Sequence, residues 1–308
     1  MRIIYLGTPD FAVAPLKAIV ENGFNVVAVV SQTDKRTGRK RELKPTPVKE
    51  YALSQNIPVY QFEKIREEYS VLKELNADIM VTCAYGQILN QAVIDLTPKG
   101  VFNIHASLLP KYRGASPIQS VILNGETKTG VTIMKTDIGI DTGDIVSVKE
   151  LEILPTETAG ELFDRLSVVG SELIVETLKL IEQGKETYTK QNHEIATHSK
   201  MIYKQDAFID FTEEAEVIYN KIRGYNPSPI AFAKFNDRVL KIYQAEIVEQ
   251  NGQSGQVLVA DHKNGIVVAC KTKAIKLITV QEEGGKQMPA TAYVLGRKIK
   301  VGDIAEKC

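Results

Sequence analysis

Residues 2–31, RIIYLGTPDFAVAPLKAIVENGFNVVAVVS, contain two apolar runs separated by a helical period. The first run, Arg2–Gly7, ends in a turn, and Phe11–Asn22 carries apolar residues at helical spacing until Gly23. The second run, Asn25–Ser31, is typical of another strand. Strands that alternate with helices favour a parallel sheet with right-handed crossovers. We therefore predict a doubly wound (Rossmann-like) α/β domain that binds ligands near the carboxyl ends of its strands.

The same alternation continues beyond residue 31. A polar helical stretch is predicted at 63–75, and further strands are predicted at 57–61, 78–84, 101–105, 130–135 and 144–153. We expect some antiparallel pairing among the last of these strands. One long helix follows, in which Thr158 and Glu161 form a capping box and Gly184 ends the helix.

The character of the sequence changes after that helix. Residues 185–207 lack a sustained apolar period, which is typical of a surface linker. After one more helix, which begins near Thr212, short strands alternate with Gly, Asn and Asp, and this pattern favours a small all-β barrel (OB-like). We predict a catalytic domain at 1–189, a linker at 190–207 and a C-terminal β-barrel domain at 208–308.

The composition is that of an ordinary globular chain: 308 residues, with 38 basic and 38 acidic side chains. A formal charge of zero argues against a protein that coats nucleic acid or an anionic membrane over its whole surface. The three cysteines are too far apart in sequence for a disulfide framework or a metal knuckle, so a reducing compartment is expected. The N-terminus shows no apolar run of signal or transmembrane length. We expect a cytoplasmic protein with no membrane partner.

The turn Gly7-Thr-Pro-Asp10 follows the first strand, where a dinucleotide-binding protein carries its glycine fingerprint. The second and third glycines of that fingerprint are absent, which disfavours an NAD enzyme. Two interpretations remain open for this turn: it is structural, or it lines a ligand site.

Asn103 and His105 lie two residues apart at the end of a predicted strand, so they point to the same side of the sheet. A lone His at a strand end is most often structural. An amide beside an imidazole can nevertheless stabilise an oxyanion and move a proton. The acidic loop Asp137–Asp144 is either a surface turn, a calcium loop or a carrier of one carboxylate to that His. The other three histidines have no such partner and no metal-ligand spacing, so we expect no metal.

Two segments are strongly basic. Residues 34–49 contain seven basic and two acidic side chains, and residues 261–301 contain eight and three. Such runs are usually solvated loops. A basic loop that follows the second strand would, however, emerge at the same edge as His105, where it would favour a polyanionic substrate. The rest of the chain has a formal charge of −10, so these two segments alone bring the total to zero.

The stretch Asn103–Gln119, NIHASLLPKYRGASPIQ, together with Asp141-Thr-Gly-Asp144, resembles the folate-dependent formyltransferases, whose catalytic set is an Asn, a His and an Asp. The resemblance covers essentially the whole chain. It includes the opening Ile3–Phe11, the basic loop with Thr46–Lys49, and the stretches Ile209–Phe211 and Ile222–Pro229. The last three features resemble family members that act on a tRNA.

The resemblance implies that Asn103, His105 and Asp141 are the catalytic residues. It also implies that a four-residue segment contacts the tetrahydrofolate: Ser107, Leu108, Leu109 and Pro110. The basic loop is implied to reach the acceptor end of a tRNA through four residues: Arg36, Arg39, Lys40 and Arg41. The implied formyl donor is 10-formyltetrahydrofolate, the implied partner is initiator methionyl-tRNA, and the implied state is a monomer.

Formyl transfer to an amine passes through a tetrahedral intermediate with charge on the formyl oxygen. Asn103 and His105 are suited to donate hydrogen bonds to that oxygen, and Asp141 to orient His105 and accept a proton. The order of proton transfer between His105 and Asp141 stays open at this point.

Two alternatives stay open as well. The first keeps the chemistry and changes the acceptor to an amino sugar nucleotide or a purine precursor. The second is a protein that binds tRNA or senses folate without catalysis, although the joint presence of Asn, His and Asp weighs against it.

Overall fold

The computed structural model describes residues 1–37, 42–296 and 298–306, and the chain divides into two compact units. The first unit comprises Met1–Pro117, Lys128–Glu152 and Phe163–Ser199. The second comprises Ile118–Thr127, Ile153–Leu162 and Lys200–Cys308.

The first unit contains the strands of the predicted α/β domain. They are β1 (Arg2–Gly7), β2 (Asn25–Ser31), β3 (Lys35–Thr37), β4 (Glu42–Lys44), β5 (Val59–Gln61), β6 (Ile79–Cys83), β7 (Val101–His105), β8 (Arg113–Gly114), β9 (Lys128–Lys135), β10 (Ile145–Glu152) and β11 (His198–Ser199). The helices up to the same point are α1 (Val13–Glu21), α2 (Pro47–Ser54), α3 (Ile65–Glu68), α4 (Gln91–Ile94), α5 (Pro117–Leu123) and α6 (Ala159–Gln183). Short 3-10 turns lie at Asp10–Ala12, Tyr69–Leu75 and His193–Ile195.

Seven strands of this unit form one sheet in the order β10-β9-β7-β6-β1-β2-β5. The five strands from β7 to β5 are parallel, whereas β9 is antiparallel to β7 and β10 is antiparallel to β9. The predicted parallel α/β core is therefore confirmed. The chain builds outward from β1 to β5 and then returns to the other side of β1 through β6 and β7. A reversal of this kind opens a crevice at the carboxyl ends of the central strands.

Burial explains why these runs form central strands. All five residues of β6 are buried, as are the last five of β1, because both faces of a parallel sheet are covered. Gly7 ends β1 in a tight place: a Cβ there would lie 2.8 Å from the Ala12 Cβ and 2.8 Å from the Tyr5 ring. Close packing therefore accounts for this glycine, in agreement with the structural interpretation of the turn.

The second unit is built on an antiparallel sheet. Its elements are α7 (Ala215–Gly224), β12 (Ala231–Phe235), β13 (Arg238–Val248), β14 (Val257–Asp261), β15 (Gly265–Ala269), β16 (Ala274–Glu282), β17 (Met288–Pro289) and α8 (Ala290–Tyr293), with 3-10 turns at Lys204–Ala207 and Val294–Gly296. The strand order is β12-β13-β16-β15-β14, with β17 on β16. Phe235, Leu240 and Ile266 belong to one core with Ile218 and Ile222 of α7. An antiparallel domain is confirmed, whereas the ladder forms an open path over the described residues and a closed OB-like barrel is not established by it.

Across residues 1–37, 42–296 and 298–306, none of the helices combines the length and the apolarity that a bilayer crossing requires.

Candidate active site

Asn103 and His105 lie on β7, next to β6 and at the edge where the sheet opens. The side-chain oxygen of Asn103 accepts a hydrogen bond of 2.8 Å from the hydroxyl of Thr82 on β6. This bond fixes which way the amide faces. Its Nδ2 donor makes no hydrogen bond within the described part of the chain, so it is free to bind a ligand oxygen.

The imidazole of His105 is 6% exposed and has a different partner at each nitrogen. Nε2 lies 3.0 Å from the carbonyl oxygen of Tyr112, and Nδ1 lies 3.6 Å from Oδ2 of Asp141. A carbonyl oxygen only accepts, so Nε2 must carry a hydrogen. Nδ1 is therefore the nitrogen at which the ring can gain or lose a proton, and it faces the carboxylate.

Asp141 lies in the loop between β9 and β10, with a backbone φ of 53° in the left-handed region. Its Oδ2 accepts a 2.7 Å hydrogen bond from the backbone N–H of Gly114. The structure thus brings the predicted His and Asp together, although the two side chains are 36 positions apart in sequence.

The segment Ser107–Pro110 is fixed by two hydrogen bonds between its backbone and the side chain of Thr132 on β9. The Thr132 hydroxyl donates to the Ser107 carbonyl at 2.7 Å and accepts from the Leu109 N–H at 3.2 Å. The Ser107 hydroxyl donates to the Lys111 carbonyl at 2.7 Å, and both Ser107 and Leu109 are buried. Leu108 and Pro110 are the partly exposed members, so they provide most of the side-chain surface that this segment presents.

The basic loop is described only in part. Arg36 is exposed on β3, which pairs with β4 in a short hairpin. Arg39, Lys40 and Arg41, the other predicted tRNA-binding residues, lie outside the described residues.

The acidic loop does not form a metal site within the ranges that the structure describes, where no group of three metal-binding side chains occurs. The carboxylate of Asp137 instead accepts hydrogen bonds from Gly139 and Thr142 of its own loop. Asp141 is the carboxylate of this loop that lies beside His105.

Sequence reasoning missed four residues that support this site: Thr82, Thr132, Arg113 and Gln191. Thr82 and Thr132 lie in apolar strands, where a Thr with a structural partner is ordinary. Arg113 lies within the quoted motif but was assigned no role. Gln191 lies in the stretch interpreted as linker, and only its burial, at 6% exposed, distinguishes it.

Comparison with known families relates both parts of the chain to formyl transferases. A family model described as formyl transferase matches residues 1–178, and one described as the formyl transferase C-terminal domain matches residues 201–298.

Individual proteins resemble most or nearly all of the chain. A methionyl-tRNA formyltransferase of Agathobacter rectalis is 44% identical over 305 residues, which cover 98% of each chain. One of Neisseria gonorrhoeae is 44% identical over 306 residues, which cover 98% of this chain and 99% of the relative. The solved N-formyltransferase of Helicobacter canadensis, in complex with folinic acid and dTDP-3-aminofucose, superposes with a TM-score of 0.68 at 23% identity. That superposition covers 89% of this chain and 98% of the other, and it shows a shared fold.

Proposed function

Because this chain belongs to the formyl transferase family, we infer that it transfers the formyl group of 10-formyltetrahydrofolate to the amino group of methionyl-tRNA. The observation that carries this inference is 44% identity to methionyl-tRNA formyltransferases over 98% of the chain. An amino sugar nucleotide acceptor is supported only by structures that share the fold at low identity.

We propose that Asn103, His105 and Asp141 are the catalytic residues. The free Nδ2 donor of Asn103 is suited to stabilise the charge that develops on the formyl oxygen when the amine attacks. Thr82 keeps this donor directed outward, because its hydroxyl occupies the amide oxygen.

We further propose that, as the amine nitrogen bonds to the formyl carbon, its proton passes to the pair formed by Asp141 and His105 Nδ1, and that this pair returns a proton to N10 of the folate when the bond between the formyl carbon and N10 breaks. Nε2 is already committed to the Tyr112 carbonyl, so Nδ1 is the ring atom left for proton exchange. The 3.6 Å separation from Asp141 Oδ2 allows a carboxylate to stabilise an imidazolium at that atom.

The folate and tRNA contacts are proposals too. We propose that Ser107–Pro110 contacts the tetrahydrofolate, chiefly through Leu108 and Pro110, which are partly exposed. Arg36, Arg39, Lys40 and Arg41 are proposed to bind the acceptor end of the tRNA.

The domain assignment remains a proposal as well: 1–189 for catalysis, 190–207 as a linker, and 208–308 for tRNA binding as an OB-like barrel. Two isolated bridges support the barrel. Ala305 pairs with Phe235 of the edge strand β12, and Ile304 pairs with Gln256 just before the other edge strand, β14. The last described residues thus contact both edges of the open sheet.

We also propose that the protein works as a monomer in the cytoplasm. Light scattering at micromolar concentration tests the first point, and fractionation of cells that produce the protein tests the second. A stable dimer or a membrane-bound fraction would contradict them.

The acceptor is tested by comparing three amines in the presence of 10-formyltetrahydrofolate: methionyl-tRNA, free methionine and an amino sugar nucleotide. We expect formylmethionyl-tRNA as the main product. Preferential formylation of the sugar nucleotide would overturn the inference.

The catalytic assignment is tested by His105→Ala. We expect kcat to fall by about two to four orders of magnitude, as for loss of a general acid-base group, while methionyl-tRNA still binds. Unchanged turnover in the folded variant would remove His105 from the mechanism and favour a protein that binds tRNA without catalysis.

A further inference from the structure

Gln191 is a buried amide that uses its whole hydrogen-bonding capacity. Its Oε1 accepts from Nε of Arg113 at 3.1 Å and from Nη2 at 2.6 Å. Its Nε2 donates to the carbonyl oxygen of Asp141 at 2.9 Å and to that of Gly143 at 2.7 Å. A Gln side chain has two donor hydrogens and an oxygen with two acceptor positions, so none is left over.

The orientation of this amide is determined by Arg113. The Arg113 side chain is 3% exposed and forms no ion pair with a carboxylate in the part of the chain that the structure describes. A guanidinium only donates, so the Gln191 oxygen must face it. The amide nitrogen is consequently directed to the loop that carries Asp141, and a flipped amide would place donors against donors.

Asp141 is held from two directions. Gln191 binds its backbone carbonyl, and the N–H of Gly114 binds its carboxylate at 2.7 Å. The φ of 53° lies in the left-handed region, which is uncommon outside Gly although Asp and Asn adopt it more readily than other residues, and the surrounding hydrogen bonds help to maintain it. Arg113, which orients Gln191, and Gly114 are adjacent residues of β8. This short strand therefore supports both the hydrogen bond to the Asp141 backbone and the one to its carboxylate.

We propose that Gln191 is a positioning residue that sets the backbone of Asp141 and thereby the approach of its carboxylate to His105. This proposal rests on the proposed function, because it concerns the same formyl transfer. Gln191 itself touches neither reacting group.

Two substitutions separate this role from simple support of the fold. Gln191→Glu keeps an oxygen for Arg113 and adds a charge that the guanidinium neutralises, but it removes both donors to the Asp141 loop. Gln191→Met keeps the approximate volume and removes every hydrogen bond. Gln183→Met is the control, because Gln183 is exposed at the end of α6 and its side chain makes no hydrogen bond within the described residues.

We expect both Gln191 variants to lose about 10- to 100-fold in kcat, the cost of a displaced catalytic group, with both KM values within about two-fold of wild type. The pH profile of kcat is expected to change, since the distance between Asp141 and His105 changes. Gln183→Met should behave as wild type. If Gln191→Met fails to fold, Gln191→Glu carries the test, because its pair with Arg113 is retained.

Wild-type kcat and an unchanged pH profile in folded Gln191→Glu would overturn the proposal. So would a loss of kcat that merely follows the fraction of folded protein. An inactive wild-type protein would instead contradict the proposed function, and a second readout then decides on Gln191. The imidazole resonances of His105, assigned by comparison with His105→Gln, should shift in Gln191→Glu and not in Gln183→Met. Unshifted resonances would overturn the proposal independently of activity.

Discussion

At the scale of single residues, three buried neutral side chains orient the parts of the site that carry the proposed catalytic groups. Thr82 orients Asn103, Thr132 holds the segment after His105, and Gln191 holds the loop of Asp141. Hydrogen bonds between neutral groups contribute about 1 kcal/mol each to stability. Their geometric effect is larger, because a reacting group that turns away no longer stabilises the transition state.

Thr82→Val tests this effect at Asn103. The substitution keeps the shape of a buried side chain and removes the donor to the Asn103 amide oxygen. The amide is then free to turn, so we expect kcat to fall about ten-fold, equivalent to about 1.4 kcal/mol of transition-state stabilisation. The KM for methionyl-tRNA should stay within about two-fold.

Thr129→Val is the matched control for this experiment. Thr129 is buried in β9 of the same sheet, and its hydroxyl has no hydrogen-bond partner in the part of the chain that the structure describes. We expect unchanged turnover and equal or higher stability, since a buried unpartnered hydroxyl is unfavourable. Equal kcat for Thr82→Val and Thr129→Val would show that the Asn103 amide needs no such support.

The cysteines give a second prediction at this scale. Burial raises the pKa of the Cys83 thiol to about 12 and outweighs the opposing effect of the Tyr5 hydroxyl. Burial likewise raises the pKa of Cys270 to about 12. Since the thiolate is the reactive form, neither should react with a disulfide reagent at pH 7.5 in the native protein.

The measurement uses a Cys308→Ser background, because Cys308 lies outside the described residues. We expect no rapidly reacting thiol in buffer and two in 8 M urea. Rapid modification of either cysteine in the native state, with loss of turnover, would place a reactive thiol where the structure has a buried side chain.

At the scale of elements, the basic loop has a fixed base although its middle is not described. Lys49 on α2 binds Asp34, which follows β2, at 2.6 Å and Gln61 at the end of β5 at 2.7 Å. Gln61 in turn donates to Asp34 at 2.7 Å. Two of the charges counted in residues 34–49 therefore neutralise each other and anchor the two ends of the loop.

Asp34→Asn should loosen this base. Burial alone would raise the pKa of Asp34, but hydrogen bonds from Lys49 and Gln61 and the charge of Lys49 outweigh it, so the pKa lies below its ordinary value. A carboxyl group with a lowered pKa stabilises the fold above its unfolded pKa of about 3.9, and the contribution is lost as the pH falls through the lower folded value. We expect the variant to lose about 1 kcal/mol of unfolding free energy at pH 7.

The difference between wild type and Asp34→Asn should shrink below about pH 4, which urea unfolding at several pH values measures. We also expect a higher KM for methionyl-tRNA, because a loosened loop loses more conformational entropy on binding than an anchored one. Asp164→Asn is the control, since Asp164 is exposed on α6 and has no ion pair within the described residues. A difference that grew as the pH fell would contradict the assignment of this pair.

Elements with a strong period of apolar residues could be predicted from the sequence, and elements without such a period could not. The β7 bounds, 101–105, agree with the prediction, and α6 at Ala159–Gln183 lies within one residue of it. The two-residue strands β8 and β11 were missed, because hydrogen bonds between distant segments form them rather than any apolar pattern. For the same reason Gln191, which depends on Arg113, lay in a predicted linker.

At the scale of the whole molecule, a segment with an excess of basic residues need not form a basic surface in the folded protein. Four of the eight basic side chains in residues 261–301 pair with carboxylates of the second unit. These pairs are Lys271 with Glu214, Lys273 with Glu216 and Glu249, Lys276 with Glu246, and Lys298 with Glu282. All these glutamates except Glu282 lie outside that segment, so the folded unit is less basic here than the sequence indicates.

Three lysines of the segment keep an ammonium group with no partner in the described part of the chain: Lys263, Lys286 and Lys300. Arg297 lies outside it. We predict that replacing these three by Ala weakens methionyl-tRNA binding more than the triple Ala variant of Lys271, Lys273 and Lys276. A paired ammonium must leave its carboxylate to bind a phosphate, and the exposed carboxylate then repels the tRNA.

Binding of methionyl-tRNA at 50, 100 and 200 mM KCl measures the difference. For each tRNA phosphate that a variant no longer binds, the slope of log affinity against log salt should flatten by about 0.7 to 0.9. We expect a flattening of about 2 for the unpaired set and less than about 1 for the paired set. An equal or larger flattening for the paired set would mean that the tRNA displaces those glutamates, and an unchanged slope in both would assign the phosphate contacts to the basic loop alone.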